Sequence, residues 1–237
     1  MKTMQETTKY LCENIQGCVL GYTQSDEISL VLIDYQRLET SAWFNYEVQK
    51  MCSIAASMAT MAFNKLFAKN IKEYDMNWKC SLTPQCVEIQ KAHYDYMEVL
   101  NKAVEKGAMF DARVFNIPKE EVTNCVYWRQ LDASRNSIQM VGQVNFSHKE
   151  LQNKSCNDIQ DMLVTQKGIN WNDFPTYQKR GTCVVRNKIV IDSDGINETA
   201  ILRDTTKSEN EWIIDNDIPI FKGEGREYIE TLINVEA

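Results

Sequence analysis

Ser25, Asp26 and Glu27 stand between two β-rich runs, residues 18–23 and 28–33, and so at the tip of a predicted hairpin. Hairpin tips favour Asn-Gly or Asp-Gly, and two adjacent carboxylates there repel one another unless a cation or a basic partner is close. Magnesium suits such a place, because it takes one or two protein carboxylates and completes its shell with water and substrate phosphates. A solvated acidic turn accounts for the same residues. Asp111 and Arg113 share one face of a predicted strand, where a structural ion pair and a phosphate clamp read alike. Trp128, Asp132 and Arg135 recur at helical spacing. Core packing explains the Trp, but a face bearing Asp132, Arg135 and Asn136 needs partners. Residues 175–181 pair Tyr177 with Lys179 and Arg180 in a predicted loop that suits a phosphate, an RNA backbone or a plain surface turn.

Several chemistries lack their signature. No G-x-x-x-x-G-K-[ST] occurs, Gly223-Glu-Gly225 follows no adequate strand, and neither His93 nor His148 lies in an H-E-x-x-H pattern. P-loop, Rossmann and zinc-hydrolase readings are therefore disfavoured, and no G-x-S-x-G elbow supports a serine hydrolase. The eight cysteines are scattered singly, which favours reduced, buried thiols over disulfides. The longest uncharged stretch, residues 51–64, has 14 residues, too few for a membrane helix of about 20. With no apolar leader at the N-terminus, a cytoplasmic chain is expected. A net charge of −7 argues against nucleic acid by default. The deficit is local, however: residues 189–237 hold 4 basic and 12 acidic side chains, whereas residues 149–188 hold 7 and 4.

The elements that position these residues follow from periodicity. Met4, Leu11 and Ile15 mark an amphipathic helix over residues 1–16. Phe44, Val48, Met51, Ala55, Met58, Ala62 and Leu66 mark a long one, after which residues 70–92 read as irregular and 93–106 as helical. Residues 109–117 alternate like a strand, halted by Pro118. Helices are expected from residue 119 towards 138 and over 155–166, and strands over 181–186 and 189–191. Residues 199–203 and 211–214 read as a further hairpin. One α+β domain with a C-terminal extension is the simplest architecture.

Taken in order, four segments resemble the tRNA-His guanylyltransferase family, in particular its bacterial and archaeal members that repair tRNA 5′ ends. They are Tyr22-Thr-Gln-Ser-Asp-Glu-Ile-Ser-Leu-Val31, Phe110-Asp-Ala-Arg-Val114, Tyr127-Trp-Arg-Gln-Leu-Asp-Ala-Ser-Arg-Asn-Ser137, and Gly168-Ile-Asn-Trp171 through Tyr177-Gln-Lys-Arg-Gly181. The resemblance implies a polymerase-palm-like, ferredoxin-like sheet with helices on one face, residues 1–148 forming the catalytic part and 149–237 a C-terminal region packed on the same domain. It implies 3′-to-5′ nucleotide addition: the tRNA 5′-phosphate is activated by ATP or GTP, and the 3′-hydroxyl of an incoming nucleotide attacks it, with two magnesium ions at the displacement. On that reading Asp26 is a metal carboxylate and catalytic together with Glu27. Ser25, Lys50, Arg113 and Asn136 meet the nucleotide, and Arg135, Lys179 and Arg180 the tRNA. The expected partners are tRNA, nucleoside triphosphates and three further copies in a homo-tetramer.

Two departures qualify the resemblance. Ser134-Arg-Asn-Ser137 stands where guanosine-adding members carry His-x-Asn-Asn, which favours 5′-end repair. The family's opening strand, ending in Arg-x-Asp-Gly, has no counterpart ahead of residue 26, so a central strand and a metal carboxylate are expected to be missing, as from a downstream start. A catalytically impaired tRNA-binding or assembly paralogue, and a nucleotidyl cyclase on a similar palm, are the competing readings.

Overall fold

The computed structural model describes residues 1–80, 87–186 and 211–234. Its centre is strand β1 (Cys18–Gln24), buried along its whole length. β1 pairs antiparallel with β2 (Glu27–Leu32) on one side and with β3 (Thr182–Arg186) on the other, and β3 pairs with β4 (Trp212–Asp215), giving the order β2-β1-β3-β4. Strand alternation divides the apolar residues between two faces. Leu20, Tyr22, Cys183, Val185 and Ile213 pack towards helices α4 (Val122–Asn145) and α8 (Glu227–Ile233). Cys18, Val184 and Trp212 pack with α1 (Lys2–Asn14) and α2 (Val48–Cys80). Helices thus cover both faces and not one as the resemblance implied, because a strand apolar on both sides needs both covered.

α1 lies close on β1. A methyl group at Gly21 would stand 2.5 Å from Cys12 Sγ and 2.6 Å from Thr8 Cγ2, so only glycine allows this approach. The predicted first helix and the predicted hairpin are both present, with Met4, Leu11 and Ile15 buried. The long helix is longer than its spacing suggested. It runs to Cys80, and α3 (Val87–Lys106) packs beside it through the His93–Trp78 stack, so the described part of the stretch expected to be irregular is helical. The periodic signal fades there because α2 is an exposed arm. It is held by Lys69–Glu73 and Lys79–Asp75 pairs four residues apart and by His93 of α3, whose ring stacks on Trp78 at 3.6 Å and donates from Nε2 to Asp75 Oδ1 at 3.1 Å. Phe44 is not part of this helix. Phe44, Asn45 and Tyr46 all take positive φ in the turn before it, a strained run for residues other than glycine.

Residues 109–117 form no strand. Phe110, Ala112 and Val114 are half-buried while Met109, Asp111, Arg113 and Phe115 are exposed, which is the alternation the sequence announced. The ladder is absent: the Phe110 amide donates to Thr60 Oγ1 and the Ala108 amide to Asn64 Oδ1, both on α2. Alternation needs only residue types, whereas a ladder needs a neighbouring edge, and no strand among the described residues lies beside this segment.

After α4 come α5 (His148–Leu151) and α6 (Cys156–Met162), each opened by a Ser capping box, with α6 running on into a π turn over Leu163–Lys167. The loop expected over 175–181 contains a short helix, α7 (Thr176–Arg180). The strand expected at 189–191 and half of the hairpin expected at 199–203 lie outside the described residues. No helix among those described is long and apolar enough to cross a membrane. Gly21→Ala should lower stability by about 1–3 kcal/mol, the scale of overpacking, by wedging α1 off β1. Urea unfolding checks this, and an unchanged midpoint would mean that α1 and β1 do not meet as described.

Candidate active site at the hairpin tip

The β1–β2 turn has two residues, Ser25 and Asp26, because Gln24 pairs with Glu27. Ser25 takes a φ of 50°, as a turn this tight asks of one residue, and all of 25–27 is exposed. The two carboxylates differ in their surroundings. Glu27 Oε2 accepts from Arg129 Nη1 of α4 at 3.0 Å and from Gln24 Nε2 at 2.9 Å. Asp26 makes no hydrogen bond or ion pair with any described residue. The repulsion inherent in the pair is thus relieved at one member, and the other is left open to solvent.

Arg129 was not foreseen as a site residue. The signal was present, since Arg129, Asp132 and Asn136 fall on one side of α4 at steps of three and four, and Asn136 Nδ2 donates to Asp132 Oδ2 at 3.3 Å. The rotation of α4 is set one residue further on. Gln130 is buried, and its amide donates to the Pro219 carbonyl at 2.8 Å and accepts from the Phe221 amide at 3.0 Å.

A second link joins β1 to the basic segment. Burial pushes the Tyr22 phenol up, so it stays a neutral donor, and it bonds the Arg180 carbonyl at 2.6 Å. Gly181 follows with φ of 88°, and a Cβ there would lie 2.7 Å from the Thr23 carbonyl oxygen. Lys179 is already engaged: its ammonium donates to the Asn172 carbonyl at 2.6 Å and lies over the Trp171 ring. Trp171 in turn donates to Ser137 Oγ of α4. Arg135 is exposed with no partner among the described residues, and Arg113 faces only Asp111 at 3.6 Å, both far out in solvent. Lys50 sits in the first turn of α2 with its ammonium 4.7 Å from the Phe44 ring centre. Ser25, Asp26 and Glu27 stand together at the tip, and α4 with Arg135 and Asn136 packs beside α7 with Lys179 and Arg180, where Ser137 donates to the Gln178 carbonyl; neither Lys50 nor Arg113 makes a hydrogen bond or ion pair with the tip residues. Trp128, read from sequence as a core residue, is 73% exposed.

Asp26 and the free oxygen of Glu27 are hard oxygen donors in the number magnesium commonly takes from a protein. Among the described residues no group of three or more His, Cys, Asp and Glu side chains is placed to hold a metal.

By architecture this is a palm-like α+β domain that presents a carboxylate-bearing hairpin tip to a helix. The profile of the Thg1 family, tRNAHis guanylyltransferase, matches residues 1–118. A bacterial tRNA(His) guanylyltransferase (Thg1)-like protein solved in complex with ATP is similar at 36% identity and a TM-score of 0.72, over 98% of this chain and 78% of that one. A bacterial Thg1-like protein in complex with GTP matches at 32% identity and a TM-score of 0.66, covering 98% and 77%. The tRNA(His) guanylyltransferase of Saccharomyces cerevisiae is 24% identical over 71% of this chain and 62% of its own. An uncharacterized protein of Acanthamoeba polyphaga mimivirus is 27% identical over 78% and 60%. The chain belongs to the Thg1, or tRNAHis guanylyltransferase, family. It spans about three fifths of the length of these two curated relatives.

The hydrogen bonds separate structural from functional pins. Gln130→Leu should cost about 1–3 kcal/mol for each backbone group it leaves unpaired. Arg129→Met should cost less than about 1 kcal/mol, because an exposed ion pair adds little to stability. Urea titration of both variants measures the contrast, and equal losses would refute it.

Proposed function

We propose that this chain adds nucleotides to the 5′ end of tRNA in the 3′-to-5′ direction, as a tRNA 5′-end repair enzyme, with ATP or GTP activating the 5′-phosphate before the 3′-hydroxyl of the incoming nucleotide attacks it. The observation that carries this reading is the unpartnered carboxylate of Asp26 at a tight turn, beside a Glu27 held by Arg129, in a chain of the Thg1 family. Support for nucleoside triphosphates comes from the bacterial relatives solved with ATP and with GTP.

Asp26 and the free oxygen of Glu27 would hold magnesium. When bound, two such ions stabilise the attacking and leaving oxygens of an in-line displacement. Arg129 keeps one oxygen of Glu27 turned to the α4 side, so the unpaired Asp26 carboxylate would offer most of the negative charge to the cation that accompanies the incoming phosphates. Ser25 supplies the turn and a hydroxyl beside the triphosphate. Lys50, Arg113 and Asn136 are assigned to the nucleotide, and Arg135, Lys179 and Arg180 to the tRNA. The Arg180 contribution is steadied by the Tyr22 bond to its carbonyl. Residues 1–148 are read as the catalytic part and 149–237 as a C-terminal region, working as a homo-tetramer in the cytoplasm.

The test is incubation of the chain with 5′-truncated tRNA, ATP, magnesium and nucleoside triphosphates, with products resolved at single-nucleotide length. Extension should require magnesium, stop on chelation, and fall by at least about a hundredfold in Asp26→Ala, the scale on which misplaced reacting groups lose rate. Extension unaffected by Asp26→Ala would overturn the metal assignment. Binding of tRNA without extension would favour an assembly role, and a cyclic nucleotide formed without tRNA would favour a cyclase.

A further inference from the structure

We infer that Trp128 and Arg135, on the outer side of α4, form a stacking platform for an unpaired base of single-stranded RNA entering the hairpin-tip site. Trp128 is 73% exposed, makes no ring contact and no hydrogen bond among the described residues, and Leu131 beside it is 48% exposed. Single exposed apolar residues are ordinary; what sets Trp128 apart is its place one residue before Arg129, whose guanidinium reaches the hairpin tip.

The position is informative. Trp128 precedes Arg129, whose guanidinium reaches the hairpin tip, so the ring stands one residue and about 100° round the helix from the pair that orients Glu27. Trp128, Leu131 and Arg135 follow at steps of three and four and therefore share a stripe. That stripe adjoins the side carrying Arg129, Asp132 and Asn136. Met140 and Val144, also exposed, lie on a different face, so the platform is not one end of a general apolar patch.

Charge selects the occupant. α4 carries two arginines against one aspartate; that aspartate, Asp132, lies between Trp128 and Arg135 but is half-buried and accepts from Asn136 Nδ2, and Arg135 has no acidic partner among the described residues. A flat aromatic face with an unpaired guanidinium two turns along the same stripe matches a base stacked on the ring and a phosphate reached by the arginine, the combination by which single strands are held without sequence preference. An apolar protein partner would find no use for the unpaired Arg135. The choice of RNA rests on the proposed function. The stacking itself does not need catalysis.

The experiment titrates the chain, without nucleotide, into 5′-labelled RNA hairpins that end either in a short unpaired 3′ overhang, as 5′ truncation leaves, or in a blunt end, and reads anisotropy over a range of salt. Trp128→Ala should weaken overhang binding by about tenfold to a hundredfold, the effect of losing one stacked base. Trp128→Phe should retain most of the affinity, and blunt RNA should bind both variants as it binds the parent. Arg135→Gln should weaken both RNAs and reduce the slope of log affinity against log salt by about one. Wild-type affinity in Trp128→Ala, or an equal loss for blunt RNA, would overturn the platform, as would an unchanged salt slope in Arg135→Gln. A change of oligomeric state in Trp128→Ala, read by sedimentation, would overturn it in favour of a contact between copies. Because the assay reads binding alone, failure of nucleotide addition leaves this result standing, and a negative result here leaves the addition reaction untouched.

Discussion

Gln130 is the residue on which the site geometry turns. Its buried amide is saturated from both sides by the Pro219 carbonyl and the Phe221 amide, which fixes how far along and how far round α4 sits relative to the segment between β4 and α8. A helix free to rotate by one residue would sweep its side chains through about 100°. With Gln130 inward, Arg129 is aimed at the hairpin tip and Trp128 is turned out beside it. The clamp is made by backbone groups of a chain segment far away in sequence, so it adds to the packing of Val122 and Val126 on the sheet a polar restraint on the rotation of α4.

The hairpin tip then shows how neighbouring carboxylates acquire different characters. Two adjacent acids repel, and the cheapest relief is to neutralise one. Arg129 and Gln24 both address the same oxygen of Glu27, while Asp26 is left to water. Both partners of the Arg129–Glu27 pair are almost half exposed, so the bond adds little to folding. Its consequence is directional: one carboxylate is held and its neighbour remains available for a cation that arrives with phosphate.

Much of this fold was legible in the residues, and the failures share a cause. The first helix, the first hairpin and α4 were readable because each buries a regular face against one neighbour. Where burial comes from elsewhere, period misleads. The C-terminal part of α2 is exposed and held by ion pairs and the His93–Trp78 stack, so its apolar spacing dissolves although the helix persists. Residues 109–117 keep a strand's alternation but lack an adjacent edge, which no local pattern encodes. Trp128 looked like core because tryptophan usually is, and Arg129 was overlooked because its partner lies across 102 residues. Asp26 was legible as a candidate since adjacent acids at a turn are chemically odd. That Glu27 would be the one restrained was not.

Net charge is a poor guide to what such a surface can bind. The chain carries −7, and residues 189–237, with 4 basic and 12 acidic side chains, account for all of the deficit. Several of those acids are already committed within the fold. Asp215 is buried and accepts from the Tyr228 hydroxyl and the Asp217 amide, Asp217 accepts from Thr176, Glu211 faces Lys9, and Glu230 pairs with Arg226. A carboxylate bonded inside the fold contributes less field at a distant surface than a solvated one facing it, and screening removes most of what reaches beyond about 8–10 Å. What an approaching polyanion meets at α4 is Arg129, already shared with Glu27, Asp132, which accepts from Asn136, and an unpaired Arg135 two turns from an open indole. The local arrangement of charges, and not their sum, decides whether a phosphate backbone can lie there.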